Sequence, residues 1–154
     1  HLCVFEPNQR WLFSGDLYIA PDLDSQLSDA NGPAWIASLD KAIKMAPRCM
    51  FDAHGTMLLV ASEVSDLLVR KRDFLVGLRT RILLVADHAQ SLAEVTRKVF
   101  HEGNLVNQLS FSDGWLSILT GADFSRANLV RSFLREAVHH ELETTACPAE
   151  VDAL

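Results

Sequence analysis

Two short stretches place a chemistry-bearing side chain beside a glycine, directly after an apolar run. Asp16 ends the sequence LFSGD, and His54 lies in FDAHG about 38 positions later. A carboxylate next to glycine can present both oxygens to a cation, and an imidazole next to glycine can present an unobstructed nitrogen. This pair suits zinc, iron or manganese better than calcium. Asp16 and His54 are therefore candidate metal ligands; an N-cap or turn role for the aspartate and a surface role for the histidine remain open.

The elements that must position these two residues follow from the apolar pattern. Turn residues between the first two apolar runs predict a hairpin, and apolar residues at helical spacing separate the second run from the third. Strand, helix and strand in this order predict a right-handed βαβ unit with parallel strands. Asp16 and His54 would then lie at the carboxyl edge of the sheet, where ligands bind in open α/β sheets. The predicted elements are strands 2–5, 10–14 and 49–51 and a helix from Pro33 to Pro47.

The second predicted strand is apolar on both faces, since Trp11 and Phe13 alternate with Leu12. This pattern predicts a strand covered on both sides. If the chain lacks one of the two covers, it should expose an apolar patch and associate.

From about residue 62 onward the pattern is helical. A stripe at 3–4 spacing over 64–85 predicts a long helix with 70–72 on its outside, and weaker helical signals occupy 104–120. Ser91 and Glu94 form a capping box at the start of a helix that Gly103 would end, and Ser125 would cap a final helix.

Taken together, FSGD after an apolar strand, a helix, and a strand ending in AHG resemble the latter part of a metallo-β-lactamase-fold hydrolase. The helical remainder is similar to the carboxy-terminal extension of one branch of that family, so the resemblance spans nearly the whole chain. It implies an α/β fold: residues 1–61 as the second half of an αββα metallo-β-lactamase-like core with a mixed sheet, and 62–154 as an all-α extension. It also implies Asp16 as a carboxylate bridging two metal ions and His54 as a ligand of the second.

For the intact parent, the resemblance implies a metal-dependent hydrolase with two zinc ions, with iron or manganese as alternatives. Metal-bound hydroxide would attack an ester, thioester, lactam or phosphodiester in a small-molecule substrate. The family's principal His-x-His-x-Asp-His motif has no counterpart among the six histidines. The segment alone should therefore be inactive and require the missing amino-terminal half.

Two alternatives come from other functional classes. One is a non-catalytic interaction module that dimerises through its helices and keeps vestigial metal motifs. The other is a helix-turn-helix regulator, suggested by the helix that begins at Ser91, but residues 104–117 contain no Lys or Arg for a recognition helix.

Other residues offer secondary candidates, each with a structural alternative. An acidic loop after Asp16 could shape substrate access, and the arginines of the last helix form a basic face that either contacts an anionic substrate or is solvated. The pair 87–88 is typical of a solvated loop, and His139 with Glu143 of an exposed helix end. The acidic loop residues are Asp22, Asp24 and Asp29, and the arginines are Arg126, Arg131 and Arg135.

The composition of the chain limits the remaining functional classes. Fourteen basic and twenty acidic residues give a net charge of −6, which argues against nucleic acid or an anionic membrane as a partner held by bulk charge. The longest apolar runs are five residues, far below the roughly 20 of a membrane span. Three cysteines indicate free thiols in the cytoplasm. The chain begins inside a strand-like run without Met, which predicts a segment of a longer protein.

Overall fold

The computed structural model describes residues 2–19, 23–53, 59–101 and 124–145, with the backbone only for 59, 101 and 136–145. Within these ranges the chain forms a mixed α/β structure of one small sheet and four helices. The strands are β1 (Val4–Glu6), β2 (Trp11–Gly15), β3 (Cys49–Asp52) and β4 (Leu59–Val60), and the helices are α1 (Gly32–Met45), α2 (Ala61–Ala86), α3 (Leu92–His101) and α4 (Arg126–Thr145).

The sheet has the order β1-β2-β3-β4. β1 and β2 form the predicted antiparallel hairpin, and β2 and β3 are parallel and joined through α1. β4 pairs antiparallel with β3, so the sheet is mixed. The strand–helix–strand arrangement with parallel strands is thus confirmed.

The ends of α1 follow the predicted start and stop signals. The Asn31 side chain accepts a hydrogen bond from the Ala34 amide at 2.9 Å, and Pro33 occupies the first turn. The helix ends at Ala46 in the left-handed region (φ +48°), immediately before Pro47. At the start of α3 half of the predicted capping box is present: the Ser91 hydroxyl accepts from the Glu94 amide at 3.2 Å, while the Glu94 carboxylate accepts from the Gln90 amide at 3.0 Å. The predictions for Gly103 and 104–120 lie outside the described residues.

The helices cover one face of the sheet. Leu12 and Met50 from this face join a buried apolar cluster with residues from all four helices, and full burial of such side chains contributes about 1.5–3 kcal/mol each. The cluster is continuous across the division predicted at residues 61 and 62. Its most buried members on α2 and α4 are Val64, Leu68, Leu75, Leu78, Ile82, Leu129, Val130 and Phe133.

The sequence interpretation is wrong about one residue of α2. It places 70–72 on the outside of the helix, but Lys71 is fully buried. Its ammonium group donates to the Leu23 carbonyl at 3.1 Å and lies 4.9 Å from the centre of the Trp35 ring. A lysine tolerates this burial because its stem packs like an apolar side chain while its charge finds polar and aromatic partners.

Among the described residues, no helix or strand packs on the opposite face of the sheet. Trp11 and Phe13 remain 39% and 42% exposed, so the prediction that this strand is covered on both sides is wrong for this chain. Phe51 stacks on Phe13 with ring centres 4.8 Å apart and meets Trp11 edge-on at 5.9 Å. Val4 and Val60 extend the patch on the flanking strands, and we call these five residues the open aromatic face. It is the apolar patch expected for a sheet that lacks its second cover.

In the described ranges, each helix is too short or too polar to cross a membrane.

Candidate functional site

Asp16 lies at the carboxyl end of β2, directly after a glycine that the backbone requires. Gly15 has φ +52°, and a Cβ there would lie 3.2 Å from the Leu2 carbonyl oxygen. The Leu17 amide then donates to the Ser14 carbonyl at 3.0 Å, which closes a tight turn around Asp16. A side chain at position 15 would therefore be strained and crowded, and glycine permits the turn.

The ends of β2 and β3 meet at the same edge of the sheet. Gly15 is paired with Asp52, and the fully buried Ser14 donates its hydroxyl to the Phe51 carbonyl at 3.2 Å. These bonds hold the two strand ends in register at the point where Asp16 begins the loop. His54 follows Asp52 by two positions but lies outside the described residues, so its pairing with Asp16 stays a prediction.

Asp16 lines a cavity of about 320 Å³ beside the amino-terminal end of α1. The carboxylates of Asp16 and Asp29 are among its described lining groups. The indole of Trp35 forms one wall and is fixed by a 2.9 Å hydrogen bond from its nitrogen to the Leu17 carbonyl. The polar groups of the lining are contributed by Cys3, Asp16, Gln26, Asp29, Asn31 and Ser38.

The surroundings of the Cys3 thiol in this cavity favour its protonated form. Its sulfur donates to the Ser14 carbonyl at 3.1 Å, and burial raises the pKa of the thiol above its ordinary value. A raised pKa leaves less thiolate at neutral pH, and thiolate is the reactive form.

The three acidic loop candidates have different outcomes. Asp22 lies outside the described residues, and Asp29 is exposed and lines the cavity. Asp24 instead forms an ion pair with Arg126, whose Nε and one terminal nitrogen lie 2.7 and 2.6 Å from the same carboxylate oxygen. Arg126 is therefore buried and paired, so it is not part of a solvated basic face; Arg131 donates to Asn128 at 2.7 Å.

The remaining candidates do not extend the site. Asp87 and His88 are exposed in the turn between α2 and α3, as expected for a solvated loop. His139 and Glu143 belong to α4, but their side chains are outside the described part. Across the ranges that the structure describes, no group of three or more His, Cys, Asp or Glu side chains is arranged to hold a metal ion.

The sequence interpretation misses two features of this region. Lys71 occupies the same stripe as Val64, Leu68, Leu75 and Leu78, so its helical spacing could have indicated burial. The Asp24–Arg126 pair joins residues 102 positions apart, and no local signal predicts it.

Comparisons of the chain with protein-family models, with curated proteins and with solved structures found no match.

Proposed function

We propose that this chain is the second half of a metallo-β-lactamase-like hydrolase core with a helical extension. The observation that carries the proposal is the register of β2 and β3. Because Gly15 is paired with Asp52, Asp16 and the chain segment that enters His54 leave the sheet at one edge. In parallel sheets this carboxyl edge is where ligands bind.

The two faces of the sheet also support the proposal. The helices cover one face, while the open aromatic face presents stacked rings and valines. An apolar sheet face is normally buried against another element, so the bare face is a place where a second layer could pack. We propose that the missing amino-terminal half supplies the second layer.

The described residues do not by themselves fit a metal ion, because they contain no set of three suitable donors. The proposal therefore needs His54 and further ligands from the amino-terminal half. Two zinc ions, or iron or manganese, would lower the pKa of water and stabilise developing negative charge. In this proposal the role of the chain is to hold the Asp16 carboxylate at the carboxyl edge of the sheet, through the Gly15 turn and the hydrogen bond from Ser14 to β3.

The proposed reaction is hydrolysis of an ester, thioester, lactam or phosphodiester in a small molecule, in the cytoplasm. The cavity beside Asp16 is the proposed place for part of that substrate.

Zinc titration by calorimetry tests the proposal, on the chain alone and on the chain joined to the segment encoded upstream of it. We expect no tight stoichiometric binding by the chain alone, and binding of two ions when the other half is present. In the joined protein, Asp16→Asn should weaken the affinity for zinc by about 10–100-fold or more. Asp29→Asn is the matched control, because Asp29 lines the same cavity but is not a proposed ligand.

Two results would contradict the proposal. One is tight zinc binding by the 154 residues alone, because the proposed half-core would not contain a complete site. The other is an upstream sequence without His-x-His-x-Asp-His, together with no zinc binding by the joined protein.

A second candidate is a metal-free interaction module, favoured by the open aromatic face. This candidate predicts association without metal and unchanged association in Asp16→Asn. A joined protein that binds zinc through Asp16 would exclude it.

A further inference from the structure

Residues 23–32, the connecting segment, lead from the loop after Asp16 into the start of α1. The segment is polar, and neither of its two leucines is fully buried: Leu27 is exposed and Leu23 is partly buried. Its position therefore depends on specific ties to other elements. Those ties come from α2, from α4 and from the residue that precedes α4.

The first tie is the Asp24–Arg126 ion pair. Two guanidinium nitrogens of Arg126 reach one Asp24 oxygen at 2.6 and 2.7 Å, and the Arg126 and Asp24 side chains are only 8% and 18% exposed. The guanidinium also lies 5.0 Å from the centre of the Phe100 ring. Charge-assisted bonds shielded from water are the strong kind, and this one orients the start of the segment against α4.

Three further ties act along the segment. Gln26 and Ser125 exchange two backbone hydrogen bonds of 3.1 and 3.0 Å, and Lys71 donates to the Leu23 carbonyl at 3.1 Å. At the far end, Gly32 packs so closely on Phe133 that an added Cβ would lie 2.4 Å from a ring carbon. The segment is thus fixed by the helices at both of its ends.

The same segment forms the polar wall of the cavity beside Asp16. Gln26, Asp29 and Asn31 all line that cavity, together with Cys3 and Trp35. A shift of the segment away from α4 would therefore change the width of the cavity and the exposure of its indole wall.

We propose that Arg126 is a positioning residue for the Asp16 cavity. By pairing with Asp24, it ties the connecting segment, which forms the polar wall of the cavity, to α4. As a statement about a substrate site this rests on the proposed function. As a statement about the cavity it does not, and it can be tested without metal.

The test compares Asp24→Asn with Arg126→Lys and with a control, Asp40→Asn. The control removes an exposed carboxylate that lies 3.8 Å from Arg72 and joins α1 to α2, away from the cavity. Amide hydrogen exchange by NMR is measured at Gln26 and Ser125 and at interior residues of α2. Access to the cavity is measured by acrylamide quenching of Trp35, in a background with Trp11→Phe and Trp115→Phe.

In Asp24→Asn we expect exchange at Gln26 and Ser125 to rise about 10-fold or more, while the α2 interior stays at its original rate. Trp35 quenching should increase in the same variant. Arg126→Lys, which keeps the charge but not the planar fork, should show a smaller effect in both measurements. Asp40→Asn should match the unaltered chain.

The proposal is overturned if Asp24→Asn leaves Trp35 quenching and local exchange unchanged. It is also overturned if exchange accelerates equally in α2, because the ion pair would then stabilise the whole fold without setting the wall. Zinc binding decides the proposed function separately, so either proposal can fail while the other stands.

Discussion

We expect the same substitution, glycine to alanine, to have opposite effects on stability at Gly77 and at Gly32, two glycines of the described helices. Alanine is normally preferred to glycine within a helix by roughly 0.5–1 kcal/mol. At Gly77, in the exposed middle of α2, an added Cβ would meet no atom within 4 Å. Gly77→Ala should therefore stabilise the protein by about that amount.

At Gly32 the same methyl group has no space. It would lie 2.4 Å from one Phe133 ring carbon and 2.6 Å from two others, and Phe133 is fully buried. Overpacking of a core costs about 1–3 kcal/mol, which exceeds the helix preference. Gly32→Ala should destabilise the protein by about 0.5–2 kcal/mol net, so the two variants differ in sign.

Urea unfolding followed by circular dichroism measures the change in the free energy of unfolding for both variants. In thermal melts, a change of about 1 kcal/mol corresponds to a shift of roughly 2–4 °C in melting temperature for a chain of this size. Combining Gly32→Ala with Phe133→Leu checks the cause. The pair should show a favourable coupling of about 1 kcal/mol, because the smaller side chain relieves the clash. If Gly32→Ala stabilises as much as Gly77→Ala, the start of α1 does not pack on the Phe133 ring and the reasoning is refuted.

Three further predictions concern other parts of the molecule. Trp11→Ser should reduce concentration-dependent association in sedimentation velocity, whereas Val76→Ser, at a similarly exposed valine of α2, should not; a monomeric parent chain that binds no apolar dye would contradict this. Lys71→Met should lower the free energy of unfolding by about 1–3 kcal/mol, because the Leu23 carbonyl loses a charged donor; an unchanged urea midpoint would contradict it. A backbone amide hydrogen bond, with a nearby lysine, holds the pKa of Glu94 below its ordinary value. The stabilisation that ionised Glu94 gives the fold is present at neutral pH, and it is lost as the pH falls below about 4 and through the lowered pKa. Glu94→Gln should therefore make the melting temperature fall less between neutral and acidic pH. An unaltered dependence of the melting temperature on pH would count against this.

The hairpin of the sheet and the bounds of α1 can be predicted from residues that are close together in the sequence. The hairpin follows from turn residues, and Asn31, Pro33 and Pro47 bound α1 through capping and backbone geometry that act within a few residues. The place of Asp16 at the strand end follows in the same way, because Gly15 permits the turn whatever lies around it.

Interactions between distant residues cannot be predicted from such signals. Helical spacing groups Arg126 with two other arginines on one face, yet it pairs with an aspartate 102 positions away. Trp11 and Phe13 predict two covers for β2, but the described residues supply only one, so both side chains stay partly exposed. Sequence pattern indicates that a surface needs a partner without indicating whether the same polypeptide contains it.

The two sides of the candidate site therefore differ in how they are determined. On the side of α1, the chain itself fixes the cavity wall through α2 and α4, with ion-paired, backbone and packing contacts that converge on the connecting segment. On the side of the open aromatic face, stacked rings lie bare beside the strand that ends at Gly15, just before Asp16. A protein that binds a substrate at this edge needs both sides, because an apolar surface left in water neither excludes solvent from the site nor holds further ligands. If the proposed hydrolase function is right, covering the open aromatic face and completing a ligand set around Asp16 would be the same structural requirement, and one added layer of structure would satisfy both.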